Sequence, residues 1–322
     1  MIERTDMLAR VASMYYEDNL TQDEIARRIV TSRSTVSRML QEARDGGVVE
    51  IIVHYPWKTA PELESDLIAC FGLRQAKVLC GDERSYEEIV RGLGVLAARD
   101  IESILDEVSL LGISWGAAVY STVQALRPAR RLPVTVVQMV GAVGEGDPLI
   151  DGPELARLLA GVCGGEYRYL HAPLIVEDAQ ARDILLQEPP IRETLALARR
   201  AEVALVGIGA PVPDDYSLLR AGYLDKGALD QLRSEGVAGD ICGRHYDAFG
   251  REVDIELNRR IVGIKLDALR EIERVIGVAG GKDKAGAILG ALRGGYLDIL
   301  VTDDATARRL LVLSQCATNG LA

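Results

Sequence analysis

The sequence predicts an α/β protein in two parts. An N-terminal helix-turn-helix domain of winged type spans residues 1–55, a short linker spans 56–61, and a larger α/β domain with a mostly parallel sheet spans 62–322. Three observations predict this. Apolar residues at helical spacing mark three short segments before residue 46. From about residue 62, short runs that are apolar throughout alternate with helical stretches, as in strands buried on both faces of a parallel sheet. Several of those runs end in glycine-rich turns that open a helix.

Met7, Leu8, Val11, Met14 and Tyr15 predict a first helix over about 6–17. Thr21 with Glu24 three residues later is a capping-box signature, and Ile25, Ala26 and Ile29 mark one face of the second helix. Ser32 is the expected N-cap of the third. Its apolar stripe is Val36, Leu40 and Ala43, and Gly46-Gly47 ends it. About three residues separate the second and third helices, the spacing of a helix-turn-helix that docks its second helix in the DNA major groove.

The stretch "TSRSTVSRML" (31–40) is hydroxyl-rich and basic within an acidic chain. With Val36 and Leu40 inward, Arg33, Ser34, Thr35, Ser37, Arg38 and Gln41 face outward. Hydroxyls and forked guanidinium groups there can meet phosphates and base edges. Thr21 and Gln22, at the start of the second helix, complete the candidate DNA-binding set. The bland reading is a small helical bundle with a polar face, but hydroxyls in mid-helix have little packing reason. "VVEIIVHY" (48–55) reads as a strand, a candidate wing, and "PWKTAP" (56–61) as the linker.

In the larger part the expected strands are 76–80, 108–113, 134–140, 203–209, 275–280 and 298–302. Ligands of such sheets bind outside the carboxyl ends of the strands. Ser114, Trp115 and Gly116 follow the second run, Gly141, Gly144 and Gly146 the third, and Gly207 and Gly209 the fourth. Gly280-Gly281 then leads into Lys282 and Lys284, two of only six lysines, which suggests a phosphate contact. Each turn alone is ordinary for a parallel α/β protein; the set predicts a ligand site. Trp115 could stack on a sugar or simply fill the core. "GVAGDICGRHYDAFGREVD" (236–254) is dense in Gly and Asp. Asp240, Asp247 and Asp254 could accept hydroxyls and Arg244 could meet phosphate, the alternative being a polar surface hairpin.

Bulk properties narrow the classes. The chain is 48% hydrophobic and 26% charged, with a net charge of −11. Acidic and basic residues nearly balance in residues 1–60, so the acidity belongs to the larger part, and DNA contact would rely on a small positioned surface. No apolar run is long enough for a membrane span, and the charged N-terminus lacks a signal core, so a cytoplasmic protein is expected. Five scattered cysteines read as free thiols. His54, His171 and His245 are far apart, so no metal is expected. Neither a P-loop nor a dinucleotide fingerprint is present, and no cofactor is expected.

Taken in order, "YYEDNLTQDEIARRIVTSRSTVSRMLQEAR", "GISWGAAVYSTVQAL", "VVQMVGAVG", "ALVGIGAP", "GDICGRHYDAFG" and "GVAGGKDKAGAILGALRGGYLDILVTDDATARRLL" resemble the SorC/DeoR-type sugar-responsive transcriptional regulators, the SorC family. The resemblance covers nearly the whole chain. It implies an effector domain similar to the sugar-phosphate isomerase and deaminase fold, a phosphorylated sugar as effector, double-stranded operator DNA as partner and a homotetramer. It points to Ser114, Trp115, Gly116, Gly141, Gly144, Gly209 and Asp240 as ligand-binding, with Asp247 near sugar hydroxyls and Lys284 near a phosphate. Where the family often has two aromatics before that aspartate, this chain has His245-Tyr246. The expected role is a regulator, with repression as the default sign. The rival is an enzyme acting on a sugar phosphate, with Asp240 or Asp247 as general base.

Overall fold

The computed structural model describes residues 2–49, 57–81, 84–144, 148–212 and 216–314. The chain divides into two compact units, Met1–Pro56 and Trp57–Ala322. In the first, α1 (Ile2–Tyr16), α2 (Gln22–Arg28) and α3 (Arg33–Asp45) enclose Leu8, Val11, Ile25, Val36, Met39 and Leu40. The capping box forms as the spacing predicts. Thr21 Oγ1 accepts the Glu24 N–H at 3.3 Å, and Glu24 Oε2 accepts the Thr21 N–H at 2.8 Å. Ser32 Oγ accepts the Thr35 N–H at 3.1 Å and starts α3, and Gly46 caps its end. Each N-cap contributes about 1 kcal/mol. The expected strand at 48–55 lies outside the described residues from 50 onward.

In the second unit the helices are α4 (Pro61–Phe71), α5 (Tyr86–Ile104), α6 (Ala117–Ala125), α7 (Gly152–Cys163), α8 (Ala179–Leu185), α9 (Pro189–Ala198), α10 (Ser217–Arg220), α11 (Lys226–Ser234), α12 (Glu256–Arg260), α13 (Leu266–Leu269), α14 (Ala285–Arg293) and α15 (Asp304–Leu313). The strands are β1 (Gln75–Leu79), β2 (Leu110–Ile113), β3 (Thr135–Gln138), β4 (Glu166–Arg168), β5 (Val203–Gly207), β6 (Val237–Ile241), β7 (Arg244–Asp247), β8 (Arg274–Val278) and β9 (Ile299–Asp303). Seven of them form one parallel sheet in the order β1-β9-β8-β5-β2-β3-β4. Its central strands are apolar because both faces are covered: Val203–Val206 and Val275–Val278 are buried throughout.

The strand order reverses between β2 and β5. From β2 the chain winds outward to β3 and β4; from β5 it winds the other way to β8 and β9. At such a switch point the loops leave in opposite directions and open a crevice.

Three features differ from expectation. Lys58–Ala60, read as linker, lie along the edge strand. Thr59 pairs antiparallel with Leu79, Ala60 N–H donates to Val78 O and Cys80 N–H to Lys58 O, so outer backbone groups of β1 find partners. β4 is absent from the expected strands because Glu166, Tyr167 and Arg168 are exposed at the other sheet edge and carry no apolar signal. The Gly- and Asp-rich 236–254 stretch does hold a hairpin, β6–β7, but Asp240, Arg244 and His245 in it are buried rather than on the surface. Cys242 (φ 53) and Gly243 (φ 73) make its two-residue turn; both are left-handed, as hairpin twist demands. Cys80, Cys163 and Cys242 are free thiols, but Cys70 is disulfide-bonded, against the expectation of thiols throughout; Cys316 lies outside the described residues.

Candidate functional site

In the first unit, α3 buries Val36, Met39, Leu40 and Ala43 and leaves Arg33, Ser34, Ser37, Arg38 and Gln41 exposed, with Thr35 half-buried. Arg33 and Arg38 form no ion pair among the described residues, so both guanidinium groups are available to an anion. Three of the predicted contacts are occupied locally. Thr21 serves the capping box, Thr35 Oγ1 lies 2.8 Å from Ser32 Oγ, and Gln41 donates to Asp45 and accepts from Arg44. Gln22, the first residue of α2, is half-buried.

In the second unit a cleft of about 630 Å³ opens at the carboxyl ends of β2, β5 and β8, beside the switch point. Six of the predicted ligand residues line it: Ser114, Trp115, Gly116, Gly209, Asp240 and Lys284. Ser114 is held beneath the β2 turn, its N–H donating to Leu205 O and its Oγ accepting the Gly207 N–H. Gly116 N–H donates to Ile150 O, so that amide is spent. The free donors are instead one step on. Gly116 is the N-cap of α6, offers no side chain, and has φ 113. The first-turn amides of Ala117 and Ala118, which have no acceptor within the helix, border the cleft. A negative group there is favoured by both the amides and the helix dipole. Trp115 is 91% buried against the core, with its edge on the cleft.

Gly209 and Asp240 are joined backbone to backbone: Gly209 N–H donates to Asp240 O at 2.9 Å, and Asp240 N–H donates to Gly209 O at 3.1 Å. This bridge lays β6 over the end of β5 and brings the Asp240 carboxyl to the cleft. A Cβ at residue 209 would stand 2.0 Å from Asp240 Oδ1, so glycine is required by close approach. Lys284 Nζ lies 3.4 Å from Ile208 O and 5.9 Å from the centre of the Tyr86 ring.

Sequence reading missed Tyr86, Ser217, Arg220 and Cys242, which also line the cleft. Arg220, the last residue of α10, is exposed and makes no hydrogen bond or ion pair among the described residues. Nothing in "YSLLRAG" marks it; only the packing of α10 brings it in. The burial of Cys242 pushes its thiol up to about 12, so it is no nucleophile at neutral pH.

Behind Asp240 lies a buried polar chain. Tyr216 Oη is 2.5 Å from His245 Nε2, and His245 Nδ1 is 3.0 Å from Asn258 Oδ1. Burial is the largest influence on each titrating member. It raises Asp240 and Tyr216 above their usual ranges and lowers His245 below its own.

Three predicted residues lie outside the cleft. Gly141 packs against the Pro173 carbonyl, where a Cβ would stand 2.2 Å from the oxygen; its glycine serves packing. Gly144 N–H, with Val143 N–H, donates to the Asp151 carboxylate that starts α7. Asp247 Oδ1 accepts the N–H groups of Phe249 and Arg251, an Asp-stabilised turn after β7. Asp247 therefore serves its own loop, and Asp240 is the acid at the cleft. No group of His, Cys, Asp and Glu suited to a metal occurs among the described residues. Nor is any helix among them long and apolar enough to cross a membrane.

The family model of the sugar-binding domain ("Sugar-bind") matches residues 55–312. The deoxyribonucleoside regulator of Bacillus subtilis is 32% identical over 309 residues, covering 96% of this chain and 98% of that protein. The transcriptional regulator LsrR of Klebsiella pneumoniae is 35% identical over 312 residues, covering 96% and 94%. Among solved structures, the full-length sorbitol operon regulator SorC of Klebsiella pneumoniae superposes with a TM-score of 0.72 at 32% identity. That match covers 96% of this chain and 99% of SorC.

Proposed function

From the premise that the chain belongs to the SorC-type family of transcriptional regulators with a sugar-binding domain, we propose that it is a repressor whose grip on operator DNA is released by a phosphorylated sugar. The observation that carries the effector reading is the convergence in one cleft of Arg220, Lys284, the α6 amides and a buried acid. The first three suit a phosphate, and Asp240 suits a sugar hydroxyl. In the first unit, α3 presents Arg33 and Arg38 for phosphates or base edges in the major groove. A homo-oligomer, for which we propose a tetramer, would present paired domains to paired half-sites. The ligand shifts DNA affinity by as much as it discriminates between two assembly states.

Regulation is favoured over catalysis because relatives that match along their whole length are named regulators, and a fold shared with enzymes does not by itself confer turnover. The test is fluorescence anisotropy of DNA from upstream of the chain's own operon, at fixed salt, against a panel of sugar phosphates. One sugar phosphate should release the DNA, and NMR should recover it unchanged. DNA binding that no sugar phosphate alters would sink the effector assignment. Consumption of the ligand would favour the enzyme.

A further inference from the structure

We propose that Asp240 is held as a neutral carboxylic acid by a hydrogen-bond relay of fixed polarity, Asn258–His245–Tyr216, so that an anionic ligand meets an uncharged acid. The inference rests on the reading of this cleft as the effector site, and it starts at the far end of the relay. Asn258 Nδ2 donates to His245 O at 2.9 Å and to Val253 O at 2.8 Å, which consumes both its protons. Its Oδ1 is therefore an acceptor, and it takes the His245 backbone N–H at 2.8 Å. The ring nitrogen 3.0 Å from the same oxygen, Nδ1, must carry a proton.

A neutral His245 then has its lone pair on Nε2, which faces the Tyr216 hydroxyl at 2.5 Å. Tyr216 has one proton and gives it to His245. The Asp240 carboxyl beside that phenol receives no proton from it, and the remaining arrangement is for Asp240 to donate to Tyr216 Oη. All four groups then point their donors the same way. The competing arrangement moves one proton along the chain. An imidazolium would donate to Tyr216, and Tyr216 to an Asp240 carboxylate, leaving two buried ions.

The groups around the relay pull in both directions. Lys284 and the Gly243 N–H favour a carboxylate at Asp240, and Glu252 favours a charged His245. Arg244 opposes that charge, and Cys242 and Tyr246 contact the field of Asp240 without supplying a cation. Burial, the largest influence on both ends, opposes both ions. The consequence for binding is electrostatic: Lys284 and Arg220 face the ligand without a negative charge between them. Tyr216 and His245 are positioning residues, sealed from the ligand behind the acid.

The test needs no ligand. The chain has three histidines, so ¹⁵N-histidine labelling of the full-length protein resolves them, with His54→Gln and His171→Gln leaving His245 by elimination. The expected signature is one protonated nitrogen, Nδ1, and one unprotonated, Nε2, unchanged on acidification through about pH 6.5, where a free imidazole titrates. Two protonated nitrogens on His245 at neutral pH would overturn the proposal. A second measurement uses inorganic phosphate as probe. Asp240→Asn keeps a donor to Tyr216 and removes only a charge that the proposal says is absent, so phosphate affinity should stay within about twofold. A rise of roughly tenfold would mean a carboxylate had been repelling the anion. Wild-type protein that binds no phosphate would count against the effector site itself, while the imidazole signature would still decide the state of the acid.

Discussion

Gly209→Ala should destabilise the second unit and disable the cleft, although it adds one methyl group. The added Cβ would stand 2.0 Å from Asp240 Oδ1 and 2.8 Å from its Cγ. Ordinary contact needs about 3.4 Å or more, so the carboxyl must retreat by well over 1 Å. It cannot swing aside freely, because the paired backbone bonds hold residues 209 and 240 together and Asp240 is 94% buried. Overpacking costs about 1–3 kcal/mol, and disturbing a buried polar group costs roughly 1–3 kcal/mol more. Part of each cost relaxes away, so a loss of about 2–4 kcal/mol is expected. For a unit of this size that lowers Tm by roughly 4–12 °C. Gly161→Ala is the matched control. It sits in α7, remote from the cleft, with nothing within 4 Å of the new Cβ, and should gain up to about 1 kcal/mol from helix propensity. Calorimetry of both variants against the parent makes the comparison. Equal melting temperatures for Gly209→Ala and the parent would refute the close approach of β5 and β6 on which the cleft depends.

Other expectations are more direct. Arg33→Ala and Arg38→Ala should each weaken DNA binding, and each should lower the slope of log affinity against log salt by about one if its guanidinium meets a phosphate; anisotropy at several salt concentrations reads this. Because burial depresses His245, the folded protein resists a proton that the unfolded chain accepts, so its contribution to stability is full above about pH 6.5 and is lost as pH falls toward the folded value. Denaturant melts between pH 8 and 5 should show that loss, and His245→Asn should flatten it. Val30, 92% exposed with φ 53 between α2 and α3, holds a β-branched residue in the left-handed region, so Val30→Asn should stabilise the first unit by about 1 kcal/mol in thermal melts.

Local chemistry makes much of the molecule legible in the sequence. Thr21 with Glu24, Ser32, and the Val36–Leu40 stripe place α2 and α3 because a cap and a helical face are decided within a few residues. The apolar runs at β5, β8 and β9 are legible because a strand covered on both faces tolerates few polar side chains. Turn glycines announce the loops after β2 and β5, but not the reason for each glycine. Gly209 makes room for a carboxyl, Gly141 for a carbonyl, and Gly116 lends a left-handed corner.

The division of labour between Asp240 and Asp247 was beyond the sequence. Both are acids in one Gly-rich segment, yet one is drawn to the cleft by a bridge to Gly209 and the other is consumed by the amides of its own turn. Arg220 and Tyr86 come from α10 and α5, far apart in the chain, and their approach depends on how helices pack over a finished sheet. By itself, then, the sequence determined the elements, the parallel sheet and the family, since these follow from periodicity, caps and turn chemistry within short windows. Only the tertiary structure decided which polar residues meet. A site assembled at a strand-order reversal joins residues more than a hundred positions apart, and whether each polar group there is free or already satisfied depends on partners that no local pattern records.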